Sequence, residues 1–291
     1  MYLRPTAVVT GSLLGVSALV LTTAPTQAAP AAKAPLPVAH RGASAYAPEN
    51  TLAAADKARE LGIDWVENDV QRTRDGELIV MHDDTLKRTT DVAEVFPDRA
   101  PWKVGDFTAK EIAQLDAGSW FSTKYAGERV PTLKQFLNRM TANRQKLLLE
   151  IKKPELYPGI EADIVKELSN EGWLGPFNVR RKLIIQSFGA DSVKKVHDLA
   201  PTVKTGFLGT PSVDKLPDYA KFSDQVNPRY TDLTPDYVKA IQSVKGPHGK
   251  PLEVFTWTVD DGPTAVRLAD MGVDGIISNK PDAIRDAIGG R

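Results

Sequence analysis

Glu67 and Asp69 stand two residues apart in the stretch Trp65–Asp84, and His82 and Asp84 repeat that spacing near its other end. Carboxylate oxygens are the ligands that hard cations such as Ca2+ or Mg2+ take, and an imidazole can carry a proton near neutral pH. Between the two pairs lies Asp75-Gly76, a dipeptide that favours a two-residue type I′ hairpin turn. Paired positions in such a hairpin have a constant sum. Asp69 is then expected opposite His82, Glu67 opposite Asp84, and Val70 opposite Met81. Side chains two apart share a face of a strand. The expectation is one face carrying Glu67, Asp69, His82 and Asp84, a group that either repels in water or neutralises a cation.

Two more sets of residues strengthen the second alternative. Glu150 and Lys152 interrupt the otherwise apolar run "LLLEIKKP", two apart and near the C-terminal end of a strand-like segment. His40-Arg41 ends the first strand-like run, adding an imidazole and a bidentate anion ligand. A buried ion pair would account for Glu150 and Lys152 alone, and a core histidine for His40 alone. Two histidines, three acids, an arginine and a lysine, all at strand ends, favour a site. Trp257 and the pair Trp120-Phe121 are candidates for walling its pocket. His197, in a helix-like segment, and His248, in a loop-like one, receive no role.

These side chains need a frame. Strand-like runs occur at 36–40, 63–70, 146–152, 182–188, 204–208, 223–227, 253–259 and 273–278, and helix-like segments separate most of them. Alternation of this kind argues for βα units on a parallel sheet, and eight such units predict a (β/α)8 TIM barrel. Residues 77–84 form a ninth run. Its link to the preceding strand is far shorter than a parallel crossover needs, so it is expected as an extra antiparallel hairpin strand. An open doubly wound sheet is the second choice, but no Gly-rich phosphate fingerprint follows the first strand. In the first helix Asn50 is the expected cap and Gly62 the stop. Residues 85–145 read as an insertion near the barrel mouth. Capping boxes at Thr108–Glu111 and Thr132–Gln135 announce its two helices, and an aromatic-rich stretch between them suits a lid or a specificity element.

The chain has 291 residues, 42% of them apolar, with 37 basic against 37 acidic side chains. That balance offers no global field for nucleic acid. There is no cysteine, which excludes disulfides, thiolate metal sites and cysteine nucleophiles. Residues 1–28 have the order of a secretory signal: an early Arg4, an apolar run from Ala7 to about Leu21, then small residues. Cleavage after Ala28 or Ala31 fits, and 29–35 is an Ala/Pro-rich leader to the barrel at 36–291. The apolar run falls short of the ~20 residues that span a bilayer, so secretion without stable membrane insertion is expected. The oligomeric state is left open.

The blocks "AHRGASAYAPENTLAA", "VENDVQRTRDGELIVMHDDTL" and "LLLEIKKP" resemble the signature of the glycerophosphodiester phosphodiesterases. The resemblance continues through "IIQSF", "FTWTVDD" and "GVDGIISNKP". It implies a TIM barrel of lipid metabolism that hydrolyses small glycerophosphodiesters to glycerol 3-phosphate and an alcohol. By position it implies one divalent cation, Ca2+ or Mg2+, on Glu67, Asp69 and Glu150. It further implies His40 and His82 as the acid–base pair, with His40 the base, and Arg41 and Lys152 on the phosphate oxygens. Trp257 would wall the glycerol or head-group pocket, and Glu49 and Asn50 would stand behind the site or cap a helix. The nucleophile is either water or the adjacent glycerol hydroxyl. One departure is Ser278-Asn279, where many relatives end that strand with Thr-Asp; it removes a carboxylate near the barrel mouth. The rival within this chemistry is a secreted phospholipase D-type enzyme on lysophospholipid or sphingomyelin, with residues 102–125 supplying an apolar groove. Rivals of other classes are a glycosidase barrel and a non-catalytic binding barrel.

Overall fold

The structure, a computed structural model, describes residues 1–8, 11, 34–179 and 181–289. Met1–Ala32 form one unit and Lys33–Arg291 another. Residues 1–8 are exposed and without regular secondary structure. The rest of the expected signal, apart from Gly11, and most of the leader lie outside the described residues. Among the described residues no helix is long and apolar enough to cross a membrane.

The second unit holds nine strands among its described residues: β1 (Leu36–Ala39), β2 (Trp65–Arg72), β3 (Leu78–Val80), β4 (Lys146–Ile151), β5 (Leu183–Ser187), β6 (Lys204–Leu208), β7 (Gln225–Asn227), β8 (Phe255–Thr256) and β9 (Gly275–Ser278). Eight of them are parallel, in the order β7-β6-β5-β4-β2-β1-β9-β8. Single parallel bridges from Gln225 to Glu253 and from Arg229 to Trp257 span the remaining gap between β7 and β8. The Asn227 side chain also accepts a bond from the Phe255 amide there, at 3.2 Å. The result is the expected (β/α)8 barrel, nearly closed.

Alternation along the strands sorts the side chains into layers. Val38, Trp65, Leu148, Ile184, Phe255 and Ile277 pack into one apolar cluster inside the barrel. Two residues further along the same strands, on the same inward face, come His40, Glu67, Glu150, Gln186, Trp257 and Asn279. A greasy floor thus lies beneath a polar layer at the C-terminal end. The outward face of the same strands packs on the helices; Val66, Val70, Leu147, Leu149, Leu183 and Ile185 belong to that core.

β3 pairs antiparallel with β2, as expected, but in a different register. The partners are Val70 with Val80, Gln71 with Ile79 and Arg72 with Leu78, one residue away from the sequence expectation. The loop holds three residues, Arg74–Gly76. Gly76 N–H donates to the Thr73 carbonyl at 3.1 Å, and Thr73 N–H to the Glu77 carbonyl at 2.9 Å. A type I′ turn needs positive φ at both central residues. Only Gly76 has it, at +92°, so the chain makes the three-residue loop with glycine in the left-handed position.

One helix boundary also corrects the sequence reading. Thr51, not Asn50, caps Leu52–Glu60 and accepts from the Ala54 amide; Asn50 is turned elsewhere. Gly62, at φ +74°, does end the helix. Both expected capping boxes are present. The helix of the second, Leu133–Asn143, buries Leu133, Phe136, Leu137 and Met140 against the barrel, so it belongs to the barrel's own layer. The added segment has a separate small core that includes Ile79, Leu86, Phe107, Ile112 and Val130.

Candidate active site

Asp69 and Glu150 are direct partners across β2 and β4, and Glu67 lies two residues before Asp69 on the same inward face. One oxygen from each of these three buried carboxylates lies within 4.8 Å of the other two. Burial, with Asp69 and Glu150 close by, pushes the Glu67 carboxyl well above the ordinary range. Glu150 rises to about 7 for the same reasons, burial first and Asp69 second. Asp69 resists burial because Lys152 and Arg41 hold it below the usual value. Three such acids repel unless a cation is shared among them. Glu150 Oε1 is buried, with Lys152 Nζ 2.7 Å away. An oxygen-only donor set of three clustered carboxylates fits a hard divalent ion.

The cations sit beside the acids. Arg41 donates its backbone N–H to Glu67 Oε2 at 2.9 Å, and its guanidinium meets Glu49 at 2.9 Å and Asp69 at 3.4 Å. Lys152 Nζ lies 3.6 Å from Asp69. The turn that presents Arg41 explains the glycine after it. Arg41 itself has φ +56° and Gly42 +81°, and a Cβ on Gly42 would come within 2.5 Å of Ala54 Cβ. Only glycine lets this turn press onto the helix. Asn50, also at positive φ, donates from Nδ2 to Asp69 Oδ2 at 2.8 Å and so helps aim that carboxylate.

His40 Nδ1 lies 2.7 Å from Asn279 Oδ1. The amide's orientation is set from behind: Asn279 Nδ2 donates to Asp260 Oδ2 at 2.7 Å, and the Asn279 backbone N–H to Asp260 Oδ1 at 2.8 Å. The Asn279 oxygen therefore faces the ring and accepts from it. The Nδ1 proton is fixed, which leaves Nε2 of the neutral ring bare. Burial first, then the Arg41 charge, lowers the His40 pKa to about 4.

His82 reaches the same cavity by a route the sequence did not show. β3 ends at Val80, and Gln71 Nε2 holds the carbonyls of Met81 and Asp83, at 2.7 and 2.6 Å, on either side of His82. His82 is delivered by this pinned turn, not by strand alternation. Its Nδ1 meets Asp83 Oδ1 at 2.6 Å. Arg88 grips Asp83 and also Glu49, so an ion-pair chain runs from His82 through Asp83, Arg88 and Glu49 to Arg41. Burial lowers the His82 pKa, with Asp69 opposing and Arg41 and Lys152 adding to the fall. Asp84, expected on this face, is exposed instead; the register shift moves it away.

The enclosing cavity has a volume of about 270 Å³. His40, Arg41, Glu67, His82, Glu150, Lys152 and Trp257, all singled out from sequence, line it; Asp69 lies buried beneath them. Phe188 and Arg229 join the wall, both unforeseen, although Phe188 ends the strand-like run 182–188 and Arg229 lies two residues past the run 223–227. No residue of 85–145 lines the cavity, so Trp120 and Phe121 do not wall it and residues 102–125 offer it no groove. The segment meets the site from behind: Arg88 pairs with Glu49 and Asp83, and Thr89, Ala117 and Val130 share a small pocket with Glu49, Asn50 and His82.

The chain matches the glycerophosphoryl diester phosphodiesterase family over residues 40–283. It is 37% identical to a glycerophosphodiester phosphodiesterase of Caldanaerobacter subterraneus over 86% of this chain and 96% of that one. It is 36% identical to one of Bacillus subtilis, over 85% and 84%. Among solved structures it is similar to a phosphodiesterase of Oleispira antarctica in complex with the product sn-glycerol-3-phosphate. That match has a TM-score of 0.76 and 30% identity, and covers 88% of this chain and 97% of the other.

Proposed function

Since the chain belongs to the glycerophosphoryl diester phosphodiesterase family, we propose that it hydrolyses glycerophosphodiesters to glycerol 3-phosphate and an alcohol, with a divalent cation and two histidines. The observation that carries this reading is the gathering of three buried carboxylates, two cations and two imidazoles around one cavity at the barrel mouth. A phosphodiester brings negative charge that Arg41 and Lys152 would grip, and their positions beside the acids keep both ordered. Glu67, Asp69 and Glu150 would hold Ca2+ or Mg2+. When bound, such an ion supplies positive charge to the phosphoryl oxygens as the transition state forms.

His40 would act as the base. Its bare Nε2 can take the proton from the attacking oxygen, while Asn279 keeps the other ring nitrogen engaged. His82 would give a proton to the departing alkoxide as the phosphorus–oxygen bond to the alcohol breaks. The Asp83 carboxylate beside His82 favours the protonated ring that this role needs.

The test is incubation with glycerophosphocholine and with lysophosphatidylcholine, reading glycerol 3-phosphate and choline, with and without EDTA. Glycerol 3-phosphate from the first substrate, lost with EDTA, is expected. Choline released only from the lipid would move the protein to the phospholipase D-type alternative. Residues 1–28 would be a signal peptide and the enzyme secreted, supported by the charge and hydropathy order of the sequence. N-terminal sequencing of protein from culture medium should begin at Ala29 or Ala32.

A further inference from the structure

Three cations line the cavity, and two are already neutralised. Arg41 is paired with Glu49 and Asp69, and Lys152 with Glu150 and Asp69. The third, Arg229, has no carboxylate within ion-pair distance among the described residues. Asp232, three residues on, and Asp260, three residues past Trp257, are engaged elsewhere: Asp232 by the hydroxyls of Thr210 and Thr231, and Asp260 by Ser278 and Asn279. Arg229 follows β7, four strands from β2 in either direction around the barrel. It therefore stands across the mouth from Glu67 and Asp69.

Its surroundings hold it in place. The guanidinium lies over the Trp257 ring, 5.2 Å from the centroid, and Trp257 is fixed by a 2.9 Å bond from Nε1 to the Asn227 carbonyl. Phe188 meets Trp257 edge-on at 5.6 Å, and Lys152 Nζ is 5.7 Å from the Phe188 ring. This aromatic wall resembles a pocket for a quaternary ammonium, but a cation already stands by each ring. A positively charged head group would meet two like charges there. A negatively charged one would meet an unpaired guanidinium.

We propose that Arg229 forms a second anion subsite on the far wall of the cavity, and that the preferred substrate carries a carboxylate or second phosphate on its leaving alcohol. The glycerol half of a glycerophosphodiester bears only hydroxyls, so an added anion has to lie on the alcohol. The proposal rests on the phosphodiesterase reading above and names the substrate class within it.

The test compares kcat/KM for three diesters: glycerophosphocholine with a cationic head, glycerophosphoglycerol with a neutral one, and glycerophosphoglycerol phosphate with an anionic one. Wild type should prefer the anionic head over choline by about tenfold or more, the effect of one charge-assisted contact. Arg229→Gln should bring the three within about threefold, and Arg229→Glu should invert the order. Raising ionic strength should erode the wild-type preference. Equal losses on all three diesters would mean that Arg229 grips the scissile phosphate and would overturn the subsite, as would an unchanged order in both variants. Failure of the wild type to cleave any of them would instead sink the phosphodiesterase reading itself. The side chain is exposed, so both variants should fold, and their melting temperatures serve as the control.

Discussion

His40 and Asn279 are joined at 2.7 Å, and Asp260 decides which end of the amide faces the imidazole. An aspartate in place of Asn279 would keep the tautomer but add a charge that stabilises the imidazolium. Asn279→Asp should therefore raise the His40 pKa from about 4 and carry the acid limb of kcat/KM upward with it. Asp260→Asn in the same chain removes the repulsion that two adjacent carboxylates would create. Asn279→Leu, which leaves the ring untethered, should cost roughly 10²–10⁴-fold. An acid limb that stays put in the aspartate variant would rule out His40 as the base.

Cation binding at the acid cluster, as proposed, would depend on pH. Glu67 is held well above the ordinary range, and Glu150 reaches about 7, burial leading in both. The cation-free folded state thus keeps protons that the unfolded chain releases above ~4.3. Through these two groups, stability falls as pH rises from there through about 7. A divalent cation displaces those protons, so its apparent affinity should rise with pH. The gain in melting temperature on adding Ca2+ or Mg2+ should be larger at pH 8 than at pH 6, and Glu150→Gln should abolish most of the difference. Equal gains at both pH values would count against this cluster as the binding site.

Burial lowers the His82 pKa; Asp69 opposes the fall, and the Asp83 carboxylate at 2.6 Å adds to that opposition. Asp83→Asn should lower it further, moving the basic limb of kcat/KM to lower pH and reducing kcat near neutrality by about 10²-fold. A full pH–rate profile would register both changes. An unmoved basic limb would deny His82 the acid role.

Asn68 lies between Glu67 and Asp69 but on the opposite, helix-facing side of β2. It is fully buried, and neither amide atom meets a partner among the described residues. Asn68→Leu removes that unsatisfied amide among apolar neighbours and should stabilise the fold by about 1–3 kcal/mol. At this chain length the melting temperature should rise by ~2–4 °C per kcal/mol. Activity should hold within about twofold, since the side chain faces away from the cavity.

The barrel was legible because its signals are local. Apolar strands, helix stops such as Gly62 and the boxes at Thr108 and Thr132 each report on a few neighbouring residues. Glu67, Asp69, Glu150 and Lys152 could be placed because strand alternation and parallel register carry them together. The hairpin failed at one point only. Asp75-Gly76 names a turn region without fixing whether two residues or three fill it, and one extra residue changes the face of everything beyond. His82 was recovered by Gln71, whose grip on two carbonyls is a tertiary contact with no sequence period. Arg88 and Asp260 were invisible for a related reason: they act through Glu49 and Asn279, partners distant in the chain. Arg229 is legible only once the strand order puts it opposite Glu67.

The seam between β7 and β8 is the least laced part of the barrel wall, held by single bridges and a side-chain amide where other neighbours share a ladder. In hydrogen-exchange terms, the amides of Val226, Tyr230 and Phe255 should be among the first in the barrel to take up deuterium. Arg229 and Trp257 stand on its two sides. A ligand held by both therefore works as a stitch across the seam, and its departure and the loosening of the wall become one event.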